Sequence, residues 1–324
     1  MKRMLVTILI GIILIFATIM VYTSKKDQTD SKINKIKVAE VTHSVFYAPW
    51  YVALENNYFE NLDIEVILTS GANNVAAAVL SGDVEIGFCG PEATIYIYNE
   101  NNLDYLKSFA GLTKRDGQFL VLRNGINYHD FKDIEGLTIL AGRSGGMPLL
   151  NFTNALKNEN INNVNIDTSI DFANLTSGFI AGSGDGVNLF EPNATKLVQE
   201  GYGFIADSVG TYSGVVPYTA FNAKSSFIKN NKDIIETFYK GIKKGLEYVD
   251  THTSKEIAEV IISQFPDTSI NDLEIMIENY KNADSWFKTP EISEDSFKNL
   301  QDIMIDNKEI ETYVNYKDLI YELD

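Results

Sequence analysis

From Ile36 onward, short strand-like and helix-like segments alternate with links of only a few residues, and the alternation occurs twice. Residues 35–41 and 62–68 read as strands, 48–59 as a helix with Trp50, Tyr51, Leu54 and Tyr58 on one face, 73–80 as a short helix and 84–88 as a strand. Strand, helix, strand with short links is the pattern of a parallel sheet wrapped by helices, because a parallel neighbour needs a crossover and the crossover covers a face. Residues 119–123 read as a strand leading out of this first unit. A second unit follows, with strands at 137–141, 164–166 and 187–190 and helices at 148–157 and 175–181. Pro148 falls in a first helical turn, where its missing N–H costs nothing. After 218–223 the chain turns helical, over 228–251, 255–264, 270–282 and 294–303. So long a tail exceeds one helical layer, and it is expected to pack back on the first unit and strap the two together.

Charge excludes one class of partner. The 324-residue chain carries a net charge of −17, although its first residues contribute the positive Lys2, Arg3, Lys25 and Lys26. So acidic a body repels phosphate backbones and anionic lipid surfaces, which argues against nucleic acid. The N-terminus is apolar over 4–22, a length that suits a signal segment or a membrane anchor, since a spanning helix takes ~20 residues. Residues 24–35 have the polar composition of a flexible linker. Cys89 is the single cysteine, which rules out an intramolecular disulfide and reads as a buried, inert thiol. No Cys/His cluster, H-E-x-x-H or EF-hand loop supports a metal, and no cofactor is expected.

In open parallel sheets, ligands bind outside the carboxyl ends of the strands. Four such ends carry unusual sequences: Thr42-His-Ser-Val-Phe-Tyr-Ala-Pro-Trp, Cys89-Gly-Pro-Glu-Ala, Gly142-Arg-Ser-Gly-Gly-Met-Pro and Phe190-Glu-Pro. His43, Phe46 and Tyr47 crowd the first, the way a pocket wall for a flat ring is made, while Trp50 reads as helix core. Glu92 and Glu191 each adjoin a proline. Either can cap a helix N-terminus, and Glu191 also suits a ligand presenting N–H donors, through charge-assisted bonds. Gly142 to Gly146 formally matches the G-x-S-x-G nucleophile elbow around Ser144, but the sole downstream histidine, His252, sits in a polar helix junction, so a serine hydrolase is disfavoured.

With these residues the chain resembles the solute-binding proteins serving sulfonates, nitrate, taurine and thiamine-pyrimidine precursors. The likeness rests on Val41-Thr-His-Ser-Val-Phe-Tyr-Ala-Pro-Trp running to Tyr58-Phe, on Leu80-Ser-Gly-Asp-Val-Glu-Ile-Gly and on Val216-Pro-Tyr-Thr-Ala-Phe, and covers nearly all of residues 36–324. It implies an α/β, two-lobed, periplasmic-binding-protein-like fold, each lobe a mainly parallel sheet flanked by helices. Residues 36–122 plus 216–324 would form lobe 1 and 123–215 lobe 2, with the ligand in the interlobe cleft. It further implies a binder and not an enzyme, monomeric, outside the cytoplasmic membrane, serving an ABC transporter permease with its ATPase. Gly90-Pro-Glu-Ala, Arg143-Ser-Gly-Gly-Met-Pro and Phe190-Glu-Pro look most like the branch with pyrimidine-type ligands. There the resemblance assigns ligand contact to Phe46, Tyr47 and Glu191, with His43, Glu92, Met147 and Tyr218 as further candidates. The alternative is a sulfonate-type anion on the Gly145 and Gly146 amides beside Arg143. A fungal enzyme class that makes the pyrimidine on this fold carries a cysteine-rich motif, which is absent here.

Overall fold

The computed structural model describes residues 33–142 and 144–323. The expected signal or anchor segment, most of the linker and Arg143 lie outside the described residues. From its start the chain alternates through β1 (Asn34–Glu40), α1 (Ala48–Glu55), β2 (Leu62–Leu68), α2 (Ala72–Ser81), β3 (Ile86–Cys89), α3 (Glu92–Asn99) and β4 (Leu106–Thr113). It crosses to β5 (Phe119–Arg123) and continues through β6 (Thr138–Leu140), α4 (Met147–Asn158), β7 (Asn165–Asp167), α5 (Leu175–Ile180), β8 (Gly186–Leu189), α6 (Asn193–Gln199), β9 (Gly203–Ser208) and α7 (Val209–Ser213). It returns by β10 (Thr219–Lys224) and ends in α8 (Ser225–Asn230), α9 (Lys232–Thr251), α10 (Ser254–Ile261), α11 (Ile270–Asn282), α12 (Glu294–Asp306) and α13 (Tyr316–Leu319).

Two five-stranded sheets result, ordered β2-β1-β3-β10-β4 and β7-β6-β8-β5-β9. The sequence placed 119–123 at the exit of the first unit; the structure corrects this, since β5 lies inside the second sheet. Each sheet contains a reversed strand: β10 is antiparallel to β3 and β4, and β5 to β8 and β9. The reversal follows from the crossings. A chain that leaves one sheet at the carboxyl end of β4 or β9 enters the other sheet from that same side, so the entering strand must run away from it. The sheets are therefore mixed, with the carboxyl ends of the other strands facing the crossings.

Local chemistry explains the helices. In α1, Ala48, Pro49, Trp50, Tyr51, Val52 and Ala53 are all buried, which makes it a core helix rather than an amphipathic one. Thr253 and Glu256 form a capping box at α10, and Ser269 and Ser293 cap α11 and α12. The expected single helix over 228–251 is broken at Asn231, between α8 and α9. The tail packs on both sheets' surroundings: α9 on α1, α13 on β4 and α12 on α4, with Thr153 Oγ1 donating to Asn307 Oδ1 at 2.9 Å. One buried apolar cluster runs from Val38, Trp50 and Phe88 of the first sheet's layer to Val121, Leu140 and Val187 of the second sheet. Phe88 and Phe221, paired across β3 and β10, stack with ring centroids 4.2 Å apart.

The α1–α9 contact depends on glycine. A Cβ at Gly245 would lie 2.2 Å from the Pro49 carbonyl oxygen and 3.1 Å from Ala53 Cβ. Gly245→Ala is therefore expected to destabilise the fold by about 2 kcal/mol, although alanine favours a helix by ~1 kcal/mol. Urea midpoints would show it, and a variant as stable as the parent would mean that the helices separate at no cost.

Candidate functional site

The loops after β1, β3, β6 and β8 meet at the crossings. Ser44 Oγ caps the 3-10 turn Val45–Tyr47, which turns Phe46 and Tyr47 inward, and the same hydroxyl donates to Glu191 O at 2.8 Å. Phe46 lies 5.6 Å from Phe190, 5.7 Å from Tyr218 and 5.1 Å from Tyr280, centroid to centroid. Tyr47 meets Phe88 edge-on at 4.4 Å. Gly90 approaches Met147, the buried first residue of α4, and a Cβ on it would stand 2.8 Å from Met147 Cγ. Tyr96 Oη reaches Gly145 O at 3.2 Å. The structure thus brings together Phe46, Tyr47, Glu92, Gly145, Gly146, Met147, Glu191 and Tyr218.

Glu191 is almost wholly enclosed. Its Oε2 accepts from the Thr195 N–H at 2.9 Å, and its Oε1 from Thr195 Oγ1 at 2.7 Å and Asn279 Nδ2 at 2.9 Å. Its own N–H donates to Tyr280 Oη at 2.9 Å. Burial raises its pKa, against the lowering effect of those donors. From the sequence, this carboxylate suits a ligand edge. In this arrangement both oxygens serve protein donors, so Glu191 caps α6 and ties the β8–α6 loop to α11.

Glu92, buried at the first turn of α3, is the acid common to the surroundings of Tyr47, Cys89 and Tyr218. Burial first, and then its negative charge among others, pushes the proton affinity of all three well above ordinary values. The inert reading of Cys89 agrees with its burial as a free thiol. Tyr218 is buried beside Asp116, and among the described residues its hydroxyl has no other hydrogen-bond partner.

Asp116 was not foreseen. It sits in the crossing between β4 and β5, accepts from the Gln118 N–H at 2.7 Å and, with the Gln118 amide turned to satisfy its neighbours, from that side chain at 3.2 Å. Burial lifts its pKa well above the usual range. An Arg-Asp-Gly turn between two strands carries no local mark of such burial. Tyr280, Asn279 and Glu309 were missed for a related reason: they come from the tail and reach the site only through packing. The Glu309 carboxylate lies 3.4 Å from where a Cβ on Gly145 would be, and Gly145 itself has a left-handed φ of +75°.

His43 stands apart from this group. Its Nδ1 is 2.9 Å from Glu40 Oε1 and its Nε2 is 2.9 Å from Gln264 O. Both partners are acceptors, so the ring satisfies both only as imidazolium, in keeping with a pKa raised chiefly by the Glu40 hydrogen bond. Trp50 is core, as expected, among Phe59, Phe221 and Phe238. His252 stacks on Tyr248 at 3.6 Å and bonds within its own helix end, so no base is presented to Ser144 from there.

The model of the family described as NMT1/THI5 like matches residues 45–255. The Bacillus subtilis (strain 168) protein named "Putative binding protein YtlA" is 37% identical over 311 residues, covering 94% of this chain and 92% of that one. Among solved structures, the ligand-binding component of an ABC-type import system from Staphylococcus aureus, with zinc bound, is similar at a TM-score of 0.69, with 11% identity, 89% of this chain and 97% of that one. The alkanesulfonate-binding protein SsuA from Xanthomonas axonopodis pv. citri, bound to MOPS, gives a TM-score of 0.68, again with 11% identity, over 89% and 98%. At such identities these structures establish the shared fold. Among the described residues of this chain, no group of three or more His, Cys, Asp or Glu is placed to hold a metal ion.

Proposed function

The chain belongs to the NMT1/THI5-like family, and from that premise we propose that it is the extracytoplasmic solute-binding component of an ABC-type importer, taking a small nitrogen heterocycle between its two sheets. The two lobes of the proposal follow the two sheets, joined by the crossings at 114–118 and 214–218. The protein would act as a monomer, tethered or released through its N-terminal segment, and pass solute to a permease with its ATPase.

The observation that carries the ligand class is the pairing of buried carboxyl groups with aromatic rings at the strand ends. Glu92 and Asp116 flank Tyr218, and Glu92 flanks Tyr47. Asp116 and Glu191 are held by amide, hydroxyl and backbone donors. A flat ring fits between aromatic faces, and an amidine-like N=C–NH2 edge makes two parallel bonds to a carboxyl group. A buried acid of raised pKa can share its proton with such a ring nitrogen. Where they are ionised, these carboxyl groups repel an anion. The anion alternative retains the α4 N-terminus at Gly145 and Gly146, but the Glu309 carboxylate beside Gly145 opposes negative charge there.

A thermal-shift screen of aminopyrimidines, aliphatic sulfonates, nitrate and amino acids tests the proposal. An aminopyrimidine present at 100 times its Kd should add about 2.7 kcal/mol to stability. Stabilisation by sulfonates or nitrate alone would discard the heterocycle and leave the solute-binding role intact.

A further inference from the structure

Beside edge strand β4 lies a cavity of about 320 Å³ that shares no lining residue with the proposed solute site. Three segments remote in sequence build it, and two of them are pinned to β4. Gly111 N donates to Pro290 O at 2.7 Å, and Tyr321 N to Ser108 O at 2.9 Å beside the Ser108–Ile320 bridge. Tyr239 of α9 supplies the third wall. The lining therefore sits on ladder-like backbone bonds rather than on a free loop.

Its chemistry is one-sided. Tyr239, Tyr316, Tyr321 and Phe109 provide aromatic surface, and Glu291 and Glu322 provide the charge; among the described residues no lysine or arginine lines it. Neither glutamate takes part in an ion pair among the described residues, where the salt bridges run between other groups. The field is felt by the phenols: burial and then Glu322 and Glu291 hold the Tyr316 proton well above its ordinary range, and burial and then Glu291 raise the pKa of Tyr239. Tyr316 Oη is fixed by Ile292 O at 2.6 Å and Glu322 Oε1 at 3.2 Å, which draws a carboxylate to the rings.

Aromatic faces carry negative quadrupoles, and carboxylates beside them add to that potential, so such a hollow attracts a compact cation and repels anions. At about 320 Å³ it lies at the small end of ligand pockets, enough for a methylated or primary ammonium compound. We propose that this cavity is a second binding site, for a small organic ammonium ion.

Titration of the whole protein with choline by calorimetry, at constant ionic strength, tests this. Choline should bind, while its neutral isostere 3,3-dimethylbutan-1-ol should bind at least ~10-fold more weakly, as a cation–aromatic contact with nearby carboxylates requires. Glu291→Gln with Glu322→Gln, both at exposed positions and so compatible with folding, should weaken choline at least ~10-fold; Tyr321→Ala should do so independently. Glu92→Met should leave choline binding unchanged, which separates this site from the solute site. Equal binding of the neutral isostere, no choline binding up to ~10 mM, or choline binding indifferent to the double variant would overturn the assignment.

Discussion

Replacement of Glu92 by methionine is expected to weaken binding of an aminopyrimidine roughly 30- to 150-fold, the equivalent of about 2–3 kcal/mol. Methionine keeps the length and helix preference of the side chain while removing its acceptors and charge. Glu92 is buried at the first turn of α3 and lies within electrostatic reach of both Tyr47 and Tyr218. A ligand whose amino edge faces it loses charge-assisted bonds that water cannot replace in a closed site. A sulfonate answers in the opposite sense, since its binding should tighten when a nearby negative charge is removed. Calorimetric Kd values for one ligand of each class, on parent and variant, decide the matter. If Glu92→Met leaves the aminopyrimidine Kd within about twofold, Glu92 does not hold that ligand.

Glu191→Ala should lower stability by about 3 kcal/mol. The variant loses bonds from Thr195 and Asn279 and takes their acceptor from the buried Thr195 donors and the half-buried Asn279 amide. Glu191→Gln keeps one acceptor oxygen and should lose roughly half as much. The acid also leaves a pH signature. Its folded pKa is raised above the ordinary 4.5, so more protons are bound in the folded state, and the associated stability is present below 4.5 and lost as pH rises through the raised value. Glu191→Gln should remove that slope. Denaturant midpoints from pH 4 to 8 on the three proteins would show both effects. A loss below ~0.5 kcal/mol in Glu191→Ala would mean that the β8–α6 loop is held by Ser44 and Tyr280 alone.

Elements whose period or punctuation is local were legible in the sequence. Residues 62–68 alternate and form β2, and Ser269 and the following apolar spacing mark α11 over 270–282 as it stands. β4 escaped notice because nearly all of Leu106–Thr113 is buried, and a strand covered on both faces shows no alternation. The sheet that receives β5 could not be read because pairing is a long-range choice. Phe190-Glu-Pro stood out as unusual, yet its partner Asn279 lies 88 residues further on, on a helix whose own pattern speaks only of amphipathicity. Glu92 and Tyr47 were legible because proline and clustered aromatics at a strand end are local signals; Asp116 was not, because its burial comes from the crossing of the chain over itself.

The reversed strands impose an order of assembly. β4 joins the first sheet only through β10, and Thr113 and Thr219, whose hydroxyls meet at 2.7 Å, are 106 residues apart. The second sheet, by contrast, draws all its strands from the continuous stretch 119–208. Closing the larger loop carries the greater entropy cost and must await the later chain, so the second sheet can form while the first is still incomplete. Until Thr219–Lys224 arrives, β3 and β4 each present an unpaired edge, the kind that templates aggregation. Those edges stay open through the whole interval in which the second sheet forms, and this is the stage of folding at which protection from self-association matters most.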